Sequence, residues 1–105
     1  MRKAKIYFQG IEAGILTEVL PGSKYTFEYN NAYNGFPISL TMQVQKGKFE
    51  FNEFPSFFDG LLPEGNQLEG LLKFKKIDKN DLFSQLMAVG EDMVGAVTAK
   101  EIFET

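Results

Sequence analysis

Asp59, Glu64, Glu69, Glu91 and Asp92 are the side chains whose type and spacing could do chemistry, as a carboxylate pair for acid–base work or as oxygen ligands for a divalent cation. Their positions point to a simpler role. Asp59 and Glu64 fall where helix-terminal carboxylates sit, and Glu91-Asp92 follows a glycine that closes a helical pattern, so capping and solvated turns account for them. The sequence contains no His and no Cys, which removes the commonest general base, the commonest metal ligand, disulfides and thiolate chemistry. Pro21-Gly22-Ser23-Lys24 invites comparison with a phosphate-binding loop. Such a loop needs a second glycine five residues earlier and a Ser or Thr after its Lys, and those positions hold Thr17 and Tyr25. A type II turn is the better reading. No catalytic, metal or cofactor site emerges, and the chain reads as a non-enzyme.

Binding therefore becomes the question. Eleven basic against fourteen acidic residues give a net charge of −3, with no basic run long enough to track a phosphate backbone, so direct nucleic-acid binding is not expected. Lys3 and Lys5 are scattered, whereas Lys73, Lys75 and Lys76 form a local positive patch that suits a solvated helix end or electrostatic docking. The amino-terminal stretch lacks the apolar segment of a signal peptide, and no apolar run approaches the roughly 18 residues of a membrane span. A cytoplasmic protein with no membrane contact is the expectation. The 105 residues suffice for one domain, 1–105, with its own core.

The elements that must position any binding surface follow from periodicity. Ala4, Ile6 and Phe8 alternate with polar neighbours as a half-buried strand, Gly10 to Gly14 read as a turn, and Ile15 to Leu20 complete a hairpin. After the Pro21-Gly22 turn, Tyr25, Phe27 and Tyr29 share one face of a third strand. Asn30 to Pro37 is a loop with Tyr33 and Phe36 as pins folded back on the domain. Ile38, Leu40, Met42 and Val44 alternate as a fourth strand, which Lys46-Gly47-Lys48 turns into Phe49 to Phe51 as a second hairpin.

The stretch from Phe54 to Leu72 joins this strand-rich half to a helical half. Phe57, Phe58, Leu61 and Leu62 fall on one face of a short helix, and Pro63 with Glu64 starts the next, in which Leu68, Leu71 and Leu72 line one side despite Gly70. Asp78 with Asp81 reads as a cap and an acidic third residue for a helix carrying Leu82, Phe83, Leu86, Met87 and Val89 up to Gly90. Val97 to Phe103 reads as a last strand. Strands preceding helices predict an α+β fold, a small antiparallel sheet of about five strands packed with two or three short helices. Phe8, Leu16, Phe27, Leu40, Phe83 and Leu86 are the expected core.

Three segments carry a resemblance to a known family: Ser39-Leu40 in its expected strand, Phe57-Phe58-Asp59-Gly60-Leu61-Leu62-Pro63-Glu64-Gly65, and Gly90-Glu91-Asp92-Met93-Val94-Gly95-Ala96-Val97. With Gly14-Ile15-Leu16 in the opening hairpin they cover nearly the whole chain. In that order and spacing the chain resembles the amino-terminal subdomain of HipA-family serine/threonine kinases and, as a free-standing chain, the HipS members of split HipBST toxin–antitoxin systems. The resemblance implies a subdomain that packs on a kinase core which phosphorylates an aminoacyl-tRNA synthetase, alongside a DNA-binding HipB-like repressor. In the split arrangement it implies an antitoxin that binds and neutralises a HipT-like kinase. The alternative is an accessory subunit that completes or scaffolds the kinase and its HipB partner without inhibiting it. None of the kinase's own motifs occurs here.

A subdomain detached from its kinase must still present the surface that faced the core, so part of Phe54 to Leu72 is expected to be interface. The expected partner-binding residues are Phe57, Phe58, Asp59, Leu62, Pro63, Glu64, Gly65, Asn66 and Gln67. Leu62 to Gln67 would lie near the kinase's phosphate-binding loop and block ATP, substrate or closure, with Gly65 permitting close backbone approach.

Overall fold

The computed structural model describes residues 1–93 and 95–103; Val94, within the last resemblance segment, lies outside them. Five strands, β1 (Arg2–Phe8), β2 (Ile11–Leu20), β3 (Lys24–Tyr29), β4 (Lys48–Phe51) and β5 (Val97–Ile102), form one antiparallel sheet in the order β4-β3-β2-β1-β5. The helices are α1 (Ser56–Asp59), α2 (Gly65–Lys75) and α3 (Leu82–Val89), with short 3-10 turns at Val44–Lys46 and Gly90–Asp92. The expected α+β architecture is the observed one. No helix among the described residues is long and apolar enough to cross a membrane.

The alternation in β1 and β3 works as the periodicity requires. Ala4, Ile6, Tyr25, Phe27 and Tyr29 all point to the buried face, where Phe58, Leu62, Phe83 and Leu86 from the helical half meet them. Phe27 is the hub of the aromatic packing: its ring lies edge-on to Tyr29 at 4.8 Å and 6.1 Å from Phe58. Leu16, Phe27, Phe83 and Leu86 are fully buried as expected, and Phe8 is partly buried against the same cluster.

Several expectations need correction. The first turn comprises only Gln9 and Gly10, and Gly14 lies inside β2, where glycine is needed since a Cβ would sit 2.3 Å from the Glu28 carbonyl oxygen of β3. Ile38 to Val44 is not a strand, and no second hairpin forms; β4 pairs with β3 after an excursion through residues 30–47. The Tyr29 hydroxyl takes the place of a neighbouring strand, accepting from the Ile38 N–H at 3.0 Å and donating to the Met42 carbonyl at 2.6 Å. Burial raises the Tyr29 pKa above its ordinary value and keeps that donor protonated. Between these two anchors the backbone closes on itself through a Ser39–Met42 bridge, which throws Leu40 outward at 88 % exposure instead of into the core. Ser39-Leu40 is thus a turn. Of the two loop pins, Tyr33 is buried and stacks on Tyr29 at 5.7 Å, but Phe36 is 74 % exposed.

The α3 cap is Asp81 rather than Asp78: its Oδ1 accepts from the Ser84 N–H at 3.1 Å, while Asp78 accepts from the Asn80 N–H in the preceding turn. Asp81 does a second job. Arg2 of β1 donates from Nη2 to Asp81 at 2.8 Å, and from Nε and Nη2 to the buried Glu18 of β2 at 2.7 and 2.9 Å. Its Nη1 reaches Ser84 Oγ at 2.6 Å, and its guanidinium lies 4.9 Å from the Phe83 ring centroid. The Tyr25 hydroxyl donates to Glu18 at 3.2 Å. One cation thus ties the first two strands to the last helix.

Burial would push the Asp81 carboxyl up, but hydrogen bonds from Arg2 and Ser84 outweigh it and hold the carboxyl below its ordinary value. A lowered carboxylate pKa contributes stability that is present above the unfolded value near pH 4 and is lost as pH falls through the folded value. Arg2→Met should therefore destabilise the protein by about 2 kcal/mol at neutral pH, less than a fully buried pair would cost because the Arg2 side chain is 37 % exposed. In urea titrations the gap between the two proteins should narrow below about pH 4.

Candidate functional site

Phe54 to Leu72 divides into an anchored part and a presented part. Phe54 is buried edge-on against Tyr25 at 5.5 Å, and Pro55 is fully buried behind it. Within α1, Phe58 is fully buried while Phe57 is only partly buried, its ring 5.2 Å from Phe58. Leu62 is buried and Leu61 packs partly against the core. A four-residue helix cannot hold itself together in water, so these side chains, rather than its hydrogen bonds, fix α1 to the sheet.

Beyond Leu62 the chain surfaces. Pro63 is half-buried and precedes the helix cap, so it does not occupy the first helical turn expected for it; Glu64 takes the cap position in extended conformation without a side-chain capping bond. Gly65 opens α2 at φ +60°, a backbone state that side chains with a Cβ adopt only at a cost. Glu64, Gly65, Asn66 and Gln67 are all exposed, as is Asp59 at the end of α1. Of the nine residues expected to contact a partner, Phe58 and Leu62 thus serve as buried supports, Phe57 and Pro63 are half-exposed, and the other five are accessible.

The structure adds a feature that the apolar pattern of α2 conceals. This helix buries none of its residues: Leu68, Leu71 and Leu72 are half-buried without joining the core cluster, and Phe74 is 82 % exposed. The helix has an interior glycine, Gly70, costing about 1 kcal/mol relative to Ala. Eleven residues with so little packing make a marginal helix by themselves. At its end Lys76 closes the helix in left-handed conformation, and Lys73, Lys75, Lys76 and Lys79 surround Phe74 in sequence, with the Lys75 ammonium 5.5 Å from the Phe74 ring centroid. None of the four lysines is in ion-pair contact with a carboxylate among the described residues. Gln85 holds the connection to α3 by donating to the Lys79 carbonyl at 2.9 Å and the Asp78 carbonyl at 3.3 Å.

Phe74 and Lys79 belong to this surface and were not singled out by the sequence pattern. The signal was the density of lysine around one phenylalanine. Among the described residues no group of three or more Asp and Glu side chains is placed to hold a metal ion, and the Glu18 and Asp81 carboxylates both accept hydrogen bonds from Arg2.

The chain is similar to known proteins over most of its length. A family model described as the HipA N-terminal domain matches residues 4–100. An uncharacterized protein of Haemophilus influenzae is 33 % identical over 101 residues, which cover 96 % of this chain and 93 % of that protein. The serine/threonine-protein kinase toxin HipA of Shewanella oneidensis is 32 % identical over 73 residues, 70 % of this chain but only 16 % of the toxin. A solved structure of the N-terminal domain of HipA toxin matches with a TM-score of 0.78 and 30 % identity, covering 100 % of this chain and 96 % of that one.

The division between support and surface is directly measurable. Phe58→Ala should cost about 4 kcal/mol in chemical denaturation, the range for a fully buried phenylalanine. Phe74→Ser and Gln67→Ala should each stay within about 0.5 kcal/mol of the parent; a large loss in either would place that side chain in the core.

Proposed function

Because the chain belongs to the HipA N-terminal domain family, we propose that it is the antitoxin of a split HipBST-type system, binding and neutralising a HipT-like serine/threonine kinase. The observation that carries this reading is the contrast within one segment. Phe58 and Leu62 are held in the core, and directly after them the chain exposes Glu64 to Gln67 and a helix with no buried side chain. A surface that rigid at its base and that little covered is what a partner's docking face requires.

In this reading the Leu62 to Gln67 turn meets the kinase near its phosphate-binding loop and hinders nucleotide, substrate or closure. Gly65, with φ +60° and open space where a Cβ would stand, lets the partner approach the backbone. Leu68, Leu71 and Leu72 are completed by the kinase, and the lysines around Phe74 face acidic groups on it. A ternary complex with a HipB-like DNA-binding protein follows from the same family reading, with the nucleic acid contacted by that protein.

The length of the match supports a second reading. The 73 matched residues correspond to 16 % of a HipA toxin, so in this reading the chain supplies a part the kinase needs in order to be whole, as a non-inhibitory accessory subunit. The two separate in one assay: free protein added to a HipT-like kinase encoded beside it lowers phosphorylation and restores growth if it is the antitoxin, and leaves activity unchanged or raised if it is an accessory.

Asn66→Ala with Gln67→Ala should weaken neutralisation about tenfold or more while the protein remains folded; full neutralisation with a normal complex would remove the turn from the interface. Charge reversal at Lys73, Lys75 and Lys76 should slow association and flatten its dependence on ionic strength, measured by the association rate at low and high salt.

A further inference from the structure

A concave site of about 360 Å³ lies between the tip of the β1–β2 hairpin and the loop after β3, apart from the segment considered above. Its volume falls within the range of sites that enclose a side chain or small ligand. Phe8, Ile11, Tyr33 and Phe36 form its apolar walls. Ile11 and Phe36 are two of the large apolar side chains this chain leaves exposed, at 64 % and 74 %, and here they converge on one cavity.

The walls are fixed before anything binds. The Tyr33 hydroxyl donates to the Phe36 carbonyl at 2.5 Å, the Tyr33 N–H to the Asn30 carbonyl at 3.0 Å, and the Tyr33 ring stacks on Tyr29. Phe36 lies 6.4 Å from Phe8, ring centroid to ring centroid. One acid sits among these rings. Glu12 Oε2 accepts from Asn30 Nδ2 at 2.7 Å, which orients the carboxylate, while its Oε1 has only a loose ion pair with Lys5 at 3.6 Å, longer than a hydrogen bond. Lys5 is the charged group paired with it, and that side chain is itself 44 % exposed.

We propose that this cavity takes an arginine side chain from a partner protein. Aromatic faces attract a guanidinium and pack its aliphatic stem, and an oriented carboxylate with one under-used oxygen completes the charge. A purely apolar side chain would leave Glu12 Oε1 with Lys5 alone, and an acidic one would be repelled by the carboxylate. The site does not depend on the kinase reading.

The test is NMR of the isotope-labelled whole chain titrated with N-acetyl-arginine amide, N-acetyl-leucine amide and free L-arginine. Saturable, millimolar shifts confined to amides of the hairpin tip and the 30–36 loop are expected with the blocked arginine, and weaker ones with leucine. Glu12→Gln and Phe36→Ala, both at accessible positions, should each weaken the blocked arginine about tenfold, the effect of losing one charge-assisted or cation–π contact, while the remaining spectrum stays unchanged. Equal binding of leucine, or no effect of Glu12→Gln, would reduce the site to an apolar patch and overturn the proposal. Free L-arginine binding more tightly than the blocked form would make it an amino-acid site instead, and absence of saturable shifts would remove it altogether.

Discussion

Phe58 can plug the sheet because Phe27 and its neighbours on β3 present an unbroken aromatic face to receive it. The chain between β4 and α2 has little else to hold it: α1 is a single turn, and the helix after it is barely packed. Burying one phenylalanine contributes on the order of 1.5–3 kcal/mol, comparable with the cost of ordering one or two residues. Phe54, Phe58 and Leu62 together therefore fix where the chain leaves the core. The direction of Pro63 and everything presented after it depends on that fixture. A loose segment would lose affinity to ordering; an anchored one has met that cost in folding.

The molecule's charges are distributed in a way its net value hides. A chain of charge −3 carries four lysines and one aspartate between residues 73 and 79, while Glu12, held by Asn30 and loosely paired with Lys5, lies among aromatic walls elsewhere. The strongest ionic contacts, those of Arg2, belong to neither surface. They are consumed in joining β1 and β2 to α3, which leaves the cationic helix end free to act at range and the hairpin cavity free to act by contact.

Much of the architecture was legible because one physical signal, alternation or helical spacing, coincided with burial. Tyr25, Phe27 and Tyr29 on β3 and the apolar stripe of α3 are of that kind. Ile38 to Val44 shows the same alternation and is not a strand, since its backbone is satisfied by a tyrosine hydroxyl distant in sequence and by its own turn. Asp78 and Asp81 offer the same side chain at neighbouring candidate caps, and the choice falls to Asp81 because Arg2, far away in sequence, is there to bind it. The candidate turn was readable from its Pro, Gly and Asn content and its hydrophobic flanks. Phe74 and Lys79 were not, because the density of lysine around Phe74 does not by itself say which side of a lightly packed helix faces outward; tertiary contacts decide that.

The sheet order places β1 between β2 and β5, so the first strand of the sequence pairs with the last. β1, β2 and β3 can meet through short turns, whereas the β1–β5 ladder closes a loop that encompasses most of the chain. Closing that long loop costs more chain entropy than forming the hairpin turns, so the β1–β5 ladder is expected to form after them. Until that closure the inner edge of β1 is an open row of amides and carbonyls, a template for a second chain. The last strand thus moves the exposed edge outward: β1 becomes interior to the sheet, and the six residues of β5 take over as its edge.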